Sequence, residues 1–419
     1  MSKMTIMLGE SQREDRWLKW QLKIGGENKM TNTTVMDSKN KDQSYYTEQH
    51  RMFRDSLRRF LEKEAEPHFD QWEEDRLVPK DFWLKMGKQG FLCPWVDEKY
   101  GGMGADFIFT VILSEELRRI GAGLGGIGVH SSIVVPYIEK FGTEEQKKKY
   151  LQSCMSGETI IAIAMTEPGA GSDLAAISTT AIKDGDSYII NGQKTFISNG
   201  MLSNLIVVVC KTDPKAGHKG ISLFLVESDT PGFSRGRKLD KVGMHSQDTS
   251  ELIFEDVRVP ASNLLGVEGK GFYHLMEELQ QERVIAAVSA QVAAEEMLSL
   301  TLAYVKERTA FGQSIGQFQN TQFKLAEMAT NVQLGRTFID DLIVKHMQGQ
   351  DIYSEVSVAK WWISDSARKM APECMQLHGG YGYMEEYKIA RYYRDIAVAP
   401  IFAGSNEIMK VIIAKGLGL

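Results

Sequence analysis

The chain has 419 residues, 43% of them apolar, enough for a large core or several domains. A net charge of −6 argues against nucleic acid or an anionic membrane surface as the main partner. Cys93, Cys154, Cys210 and Cys374 are scattered without C-x-x-C spacing, and the eight histidines show no clustered ligand spacing, so neither disulfides nor a metal site is expected.

Residues 1–44 read as an extension. Thr31–Ser44 is polar and poor in apolar residues, the composition of a disordered linker. Glu10, Glu14 and Asp15 interrupt the start of the chain, so it lacks a signal-peptide core. No apolar run approaches the ~18 residues of a membrane span, and a cytoplasmic protein is expected. From Thr47 to about Tyr150 the period is helical. Phe53, Leu57, Phe60 and Leu61 recur on one helix face, and Gly101-Gly102 and the glycine-rich stretch 121–128 punctuate the helices.

From Glu158 to about Pro260 short β-branched runs replace the helical period: Leu205–Val209, Ile221–Val226 and Glu251–Val259, separated by turns such as Lys183-Asp184-Gly185-Asp186. From Gly271 the helical period returns in four long segments, at about 271–307, 319–348, 354–377 and 386–416. The pattern predicts an α+β chain, mostly α: a helical domain over 45–157, a central antiparallel β sandwich or barrel over 158–262, and a C-terminal four-helix bundle over 263–419.

The most informative stretch is Ala164-Met165-Thr166-Glu167-Pro168-Gly169-Ala170-Gly171-Ser172-Asp173, which follows an apolar run, Thr159–Ala164, that reads as a buried strand. Its glycines let backbone N–H groups approach phosphate, pyrophosphate or the edge of a planar ring. On its own the loop is more readily a Gly/Pro turn between strands. A second motif, Gln376-Leu377-His378-Gly379-Gly380-Tyr381-Gly382-Tyr383, lies far downstream and continues through Glu386, Arg391 and Asp395. Together the two resemble the signatures of the acyl-CoA dehydrogenase family, and the resemblance extends from roughly Tyr46 to the C-terminus. It implies an FAD-dependent homotetramer that takes an acyl-CoA and passes electrons to an electron-transfer flavoprotein. An acyl-CoA oxidase and a non-catalytic assembly protein of the same family are the alternatives.

The resemblance places Ile163, Ala164, Met165, Thr166, Gly171 and Ser172 beside the flavin ring, with Thr166 on its polar edge. Phe196, Ile197 and Ser198 fall near flavin N5; many relatives carry Trp where this chain has Phe196. Arg308 and Phe311 match contacts to the pyrophosphate and adenine side. Gln319, Gln376, Leu377, His378, Gly379 and Gly380 match contacts made across a subunit interface, and Ser405, Asn406 and Glu407 a segment near the flavin. Ser172, Tyr273, Gln280, Gln281, Arg283, Ala403 and Gly404 are assigned to the substrate.

The base departs from the common family pattern. Most members carry Glu just before a Gly-Thr near the C-terminus, where this chain has Ala403-Gly404-Ser405. Ala403 cannot abstract a proton, so either the protein is catalytically silent or the base lies elsewhere. Phe272, Met276, Leu279, Ile285 and Ala286 recur at helical spacing, and Glu282 falls on that face. An ionised carboxylate there is costly unless paired, and burial raises its pKa. Glu278-Leu279-Gln280-Gln281-Glu282-Arg283 resembles the long-chain subgroup of the family, which places its base at this helix position. Glu282 is the candidate base, and Glu407 the alternative.

Overall fold

The computed structural model describes Gln43 and residues 45–419; apart from Gln43, the extension expected over residues 1–44 lies outside the described residues. Helix α1 (Glu48–Glu64) buries Leu57 and Leu61 and packs Phe53 and Phe60 along the same side. Helices α2 (Phe69–Asp75), α3 (Lys80–Lys88) and α4 (Phe107–Ile120) follow, the last buried over most of its length. The glycine-rich stretch punctuates the helices at Gly121, which ends α4, but it does not open a loop. Ala122–Leu124 and Gly125–Gly128 are themselves helical turns. Their glycines permit close approach: a Cβ on Gly123 would sit 1.8 Å from Ser246 Oγ, and one on Gly126 2.4 Å from Asn199 Oδ1. A π-helical turn, Val129–Val134, leads into α5 (Val135–Phe141), and α6 (Glu144–Ser156) completes the layer.

The central region is one eight-stranded sheet: β1 (Ile161–Ala164), β2 (Thr180–Asp184), β3 (Ser187–Ser198), β4 (Leu205–Lys211), β5 (Ile221–Glu227), β6 (Phe233–Lys238), β7 (Thr249–Pro260) and β8 (Leu264–Leu265). It is not wholly antiparallel. Strand β1 runs parallel to β4, with Ile161 opposite Leu205, and β2 meets β4 in parallel at Thr180 and Lys211. These two pairings join segments separated by long connections, as parallel strands must be. Strands β4 and β5 are buried on both faces: Leu205, Val207, Leu223 and Leu225 face the helices, and Ile206, Val208, Phe224 and Val226 face a second cluster with Tyr188, Ile190, Leu252 and Phe254. Tyr188 of β3 and Phe224 of β5 meet at 4.8 Å although two strands lie between them, so the sheet doubles over on itself.

Helix α7 (Gly271–Glu307) runs through the C-terminal bundle and packs on α8 (Gln319–Met347), α9 (Tyr353–His378) and α4. By length and mean hydropathy, 1.3 over its apolar window, α7 would suffice to cross a membrane, but 78% of that window is buried inside the protein. The fourth expected helix is broken into α10 (Lys388–Asp395) and α11 (Asn406–Gly416). Between them Ala403 (φ 52°) and Gly404 (φ 82°) take left-handed conformations that end helical hydrogen bonding.

A buried ionic cluster ties α4, α7 and α8 together. Arg336 of α8 donates to Glu295 of α7 and Glu115 of α4, each at 2.8 Å, and all three side chains are at most 15% exposed. Arg336→Leu leaves Glu115 buried without its paired cation and Glu295 with only Arg119, 4.0 Å away. The expected loss is ~3–5 kcal/mol, read as a lowered urea midpoint; an unchanged midpoint would show that the cluster does not hold these helices.

Candidate active site

The site begins on α7. Its buried stripe comprises Gly271, Leu275, Glu278, Glu282 and Ile285, while Phe272, Met276 and Leu279, expected on the same face, are only half-buried. The stripe is therefore turned so that Glu282 lies in its middle. No basic side chain forms an ion pair with this carboxylate among the described residues. Instead the hydroxyl of Tyr137, from α5, donates to Glu282 Oε1 at 2.8 Å. Burial pushes the Glu282 pKa up to about 7; the Tyr137 hydrogen bond opposes this, Glu278 one turn away adds to it, and Arg283 again opposes it. The result is a dry carboxylate poised to take or give a proton near neutrality.

The backbone preceding α5 explains how Tyr137 is fixed. Pro136 has no N–H to donate to the carbonyls of Ser131 or Ser132. Trp95 Nε1 donates to Ser131 O at 2.9 Å, and Gln281 Nε2, beside the candidate base, donates to Ser132 O at 3.1 Å. Gln280 bridges to the α8–α9 connection, where its Oε1 accepts the Ile352 N–H at 3.0 Å. Both glutamines expected at the substrate thus have protein partners. They also line a cavity of about 600 Å³ with Lys140, Met276, Glu278, His346 and Tyr353. Tyr273 is exposed, with Lys270 over its ring.

On the other side of Glu282, Arg283 is buried with its guanidinium 4.7 Å over Tyr353, and its Nε and Nη1 have no hydrogen-bond partner among the described residues. Burial, together with the Arg283 charge, lowers the Lys360 pKa to about 8. Lys360 Nζ donates to Gly404 O at 2.6 Å and to Asn406 Oδ1 at 3.1 Å. Lys360, on α9, thereby holds the turn carrying Ala403. Among the described residues none accepts a hydrogen bond from the N–H of Ala403 or Gly404. Ser405 caps α11, Asn406 is buried, and Glu407 is exposed in the first helical turn.

The two segments expected at the flavin ring lie together: Thr195 N–H donates to Thr166 O at 2.9 Å. Ile163, Met165 and Thr166 are half-buried, Ala164 and Ile197 are buried, and Gly171 and Ser172 are exposed. A Cβ on Gly169 or Gly171 would meet nothing within 4 Å, so the loop borders open space. Phe196 is 68% exposed despite its apolar ring. Gln247 Nε2 donates to Ser198 Oγ at 2.7 Å, leaving the Ser198 O–H free to donate outward. Gln247 Oε1 is buried without a partner among the described residues.

Arg308, Gln376, Leu377, Gly379 and Gly380 line a separate cleft of about 480 Å³ with Tyr304, Ile315, Tyr381 and Met384. No residue of the flavin loop lines it. His378 borders the cleft but turns its ring inward, stacked on Tyr304 at 4.4 Å with Nδ1 on Cys374 O. Gln319 and Phe311 are exposed, Phe311 at 96%. An exposed aromatic ring, an outward hydroxyl donor and a glycine loop facing open space fit an FAD isoalloxazine, and Arg308 with exposed glycine backbone fits its pyrophosphate. Tyr137 and Lys360 were not expected. Both are distant in sequence from the motifs they serve, and only folding brings them there.

Family models match in three blocks: acyl-CoA dehydrogenase N-terminal domain over residues 47–158, middle domain over 162–257 and C-terminal domain over 269–418. The long-chain specific acyl-CoA dehydrogenase, mitochondrial, of Mus musculus is 47% identical over 372 residues, 88% of this chain and 86% of that protein. The crystal structure of acyl-CoA dehydrogenase from Geobacillus kaustophilus superposes with a TM-score of 0.89 at 64% identity, covering 90% of this chain and all of that one (100%). A glutaryl-CoA dehydrogenase of Mycobacterium smegmatis, solved in complex with FADH2, superposes with a TM-score of 0.83 at 29% identity over 89% of this chain and 95% of that one. Members of this family are FAD-dependent.

The raised pKa of Glu282 has a consequence for stability. The unfolded chain ionises this carboxyl from its ordinary 4.5 upward, whereas the folded protein holds its proton to about 7. Its stabilising contribution is therefore full below pH 4.5 and is lost as pH rises through 7. Glu282→Gln, which never ionises, should gain on the unsubstituted protein by up to about 3 kcal/mol between about pH 5 and about pH 8. Urea unfolding at the two pH values measures this, and a difference independent of pH would contradict a buried acid at this position.

Proposed function

This chain belongs to the acyl-CoA dehydrogenase family, oxidoreductases acting on CH–CH groups, and on that premise we propose that it converts a medium- to long-chain acyl-CoA, branched ones included, to the trans-2-enoyl-CoA with Glu282 as base. The observation that carries the reading is the pairing of Glu282, buried and held near neutrality, with Ala403 at the position where most relatives keep their carboxylate. FAD supplies the hydride acceptor that no side chain provides.

The chain's own residues supply the rest. Glu282 takes the α-proton, and Tyr137 holds the carboxylate oxygen in place while favouring its ionised form. The free N–H groups of Ala403 and Gly404 are suited to polarise the thioester carbonyl, which acidifies that proton. Thr166, Ser198 and the ring of Phe196 orient the flavin. Because Arg308 and Gln376–Gly380 share one cleft that the flavin loop does not enter, we assign that whole cleft to the cofactor of a neighbouring subunit in a homotetramer. Electron-transfer flavoprotein is the proposed acceptor.

Rapid anaerobic mixing with a panel of acyl-CoAs tests this reading. Glu282→Gln should retain FAD and slow flavin reduction by ~10²–10⁴, and Ala403→Glu on that background should restore part of the rate. Reduction of Glu282→Gln at the unsubstituted rate would remove Glu282 as base. A second measurement addresses Tyr137. Without its hydrogen bond the Glu282 carboxylate loses a stabilising donor and its pKa climbs further. In Tyr137→Phe the acid limb of the reduction-rate profile should therefore move to higher pH; an unmoved limb would show that Tyr137 does not tune the base.

A further inference from the structure

The two segments assigned to the flavin ring meet across a buried ion pair. Lys194 of β3 is fully buried, with Nζ 2.8 Å from Glu167 Oε1 and 3.0 Å from the Met165 carbonyl oxygen. Glu167, in the glycine loop, accepts the Ser178 N–H and O–H, each at 2.6 Å, and the Thr179 N–H at 2.9 Å. Thr166 lies between the two anchored residues, and its own carbonyl takes the Thr195 N–H. Its backbone is thus held before, at and after the residue.

The strand needs such an anchor at this place. The pairing of β3 with β7 shifts register between Lys194 and Ile197, a bulge that turns Phe196 out of the sheet. Phe196 adopts φ 59°, a left-handed conformation that an aromatic residue keeps only where its surroundings over-determine it. Lys194 is the last residue in register before the bulge, and Thr195 within it is tied to the loop. Burial opposes ionisation of Glu167, but Lys194, Ser178 and Thr179 outweigh it and hold the carboxyl at about 2, so the carboxylate persists at any working pH.

We propose that the Glu167–Lys194 pair is the positioning device of the flavin site, locking the glycine loop to the strained bulge so that Thr166, Phe196 and Ser198 present one preorganised surface to the cofactor. Both residues act through those neighbours, since their charged atoms point into the protein. The inference rests on the reading that the chain binds FAD.

The test uses the full-length holoprotein, its apoprotein and three variants: Glu167→Gln, Lys194→Met and the double variant. Glu167→Gln keeps the size of the side chain and one acceptor oxygen, enough for the Ser178 N–H and O–H, and so remains informative if Lys194→Met does not fold. FAD is titrated into each apoprotein by fluorescence, and the visible spectrum and midpoint potential of the bound flavin are recorded. Each single variant should weaken FAD binding by about tenfold or more, the scale seen when an outer partner of a binding group is removed. Each should also shift the flavin spectrum or potential. The double variant should lose little beyond the worse single one, as expected of two residues acting as a unit. Arg336→Leu serves as the comparison: it lowers apoprotein stability but should leave FAD affinity unchanged. If the pair variants behave like Arg336→Leu, with ordinary FAD affinity and spectrum, the inference is overturned while the functional reading stands. If the unsubstituted protein binds no FAD, both are overturned.

Discussion

A helix buried along most of its length cannot leave polar side chains unanswered, and α7 carries many. Glu278, Glu282, Arg283, Gln291 and Glu295 are all buried on it. Each draws a partner from elsewhere: Lys140 and Tyr137 from α5, the Tyr353 ring from α9, the Val332 carbonyl and Arg336 from α8. The apolar residues of α7 would tolerate sliding or rotation against their neighbours. The polar ones do not, because a shift strands a charge in low dielectric. The helix is thereby fixed in register against three other helices, and its candidate base inherits that precision.

The same constraint gives Glu282 its chemistry. Burial, which would merely destabilise an idle carboxylate, raises this one to the range where it exchanges protons near neutrality. A carboxylate on a continuous helix differs from one in a turn. Its backbone is already committed to the helical ladder, so orientation depends on side-chain partners such as Tyr137. The turn at Ala403 is left to offer backbone N–H groups, with Lys360 holding the following carbonyl. In the proposed reaction, proton removal and carbonyl binding fall to two different elements, α7 and the turn held by Lys360.

Much of this was legible in the sequence, for identifiable reasons. The change of period near Glu158 and again near Gly271 gave the order of helices, sheet and helices. An acid at helical spacing among apolar residues gave Glu282. The stripe itself was misplaced, because Phe272 and Met276 are apolar yet sit at its edge, while Glu278 is charged yet buried against Lys140. The parallel pairings of β1 and β2 with β4 depend on chain reversals that leave no local period. The last helix was drawn too long because the helical period of its apolar residues was followed past Pro400 and Gly404, although α10 ends at Asp395. Tyr137 lies 145 residues from Glu282, and nothing local links them. Lys194 could have been read: it shares strand parity with buried Tyr188 and Ile190, and a lysine on an inward position demands an acid.

The π-helical turn at Val129–Val134 bears on how such a site arises. Relative to an α-helix, a π turn accommodates one additional residue, and each residue advances a helix by about 100°. The turn therefore acts as a phase shift, rotating everything after it about the helix axis without lengthening the connection to α6. In α-helical phase Tyr137 would face a different neighbour, and the hydroxyl now on Glu282 would point away from it. That phase shift, with Trp95 and Gln281 taking up the carbonyls that Pro136 cannot serve, brings a tyrosine to bear on a carboxylate.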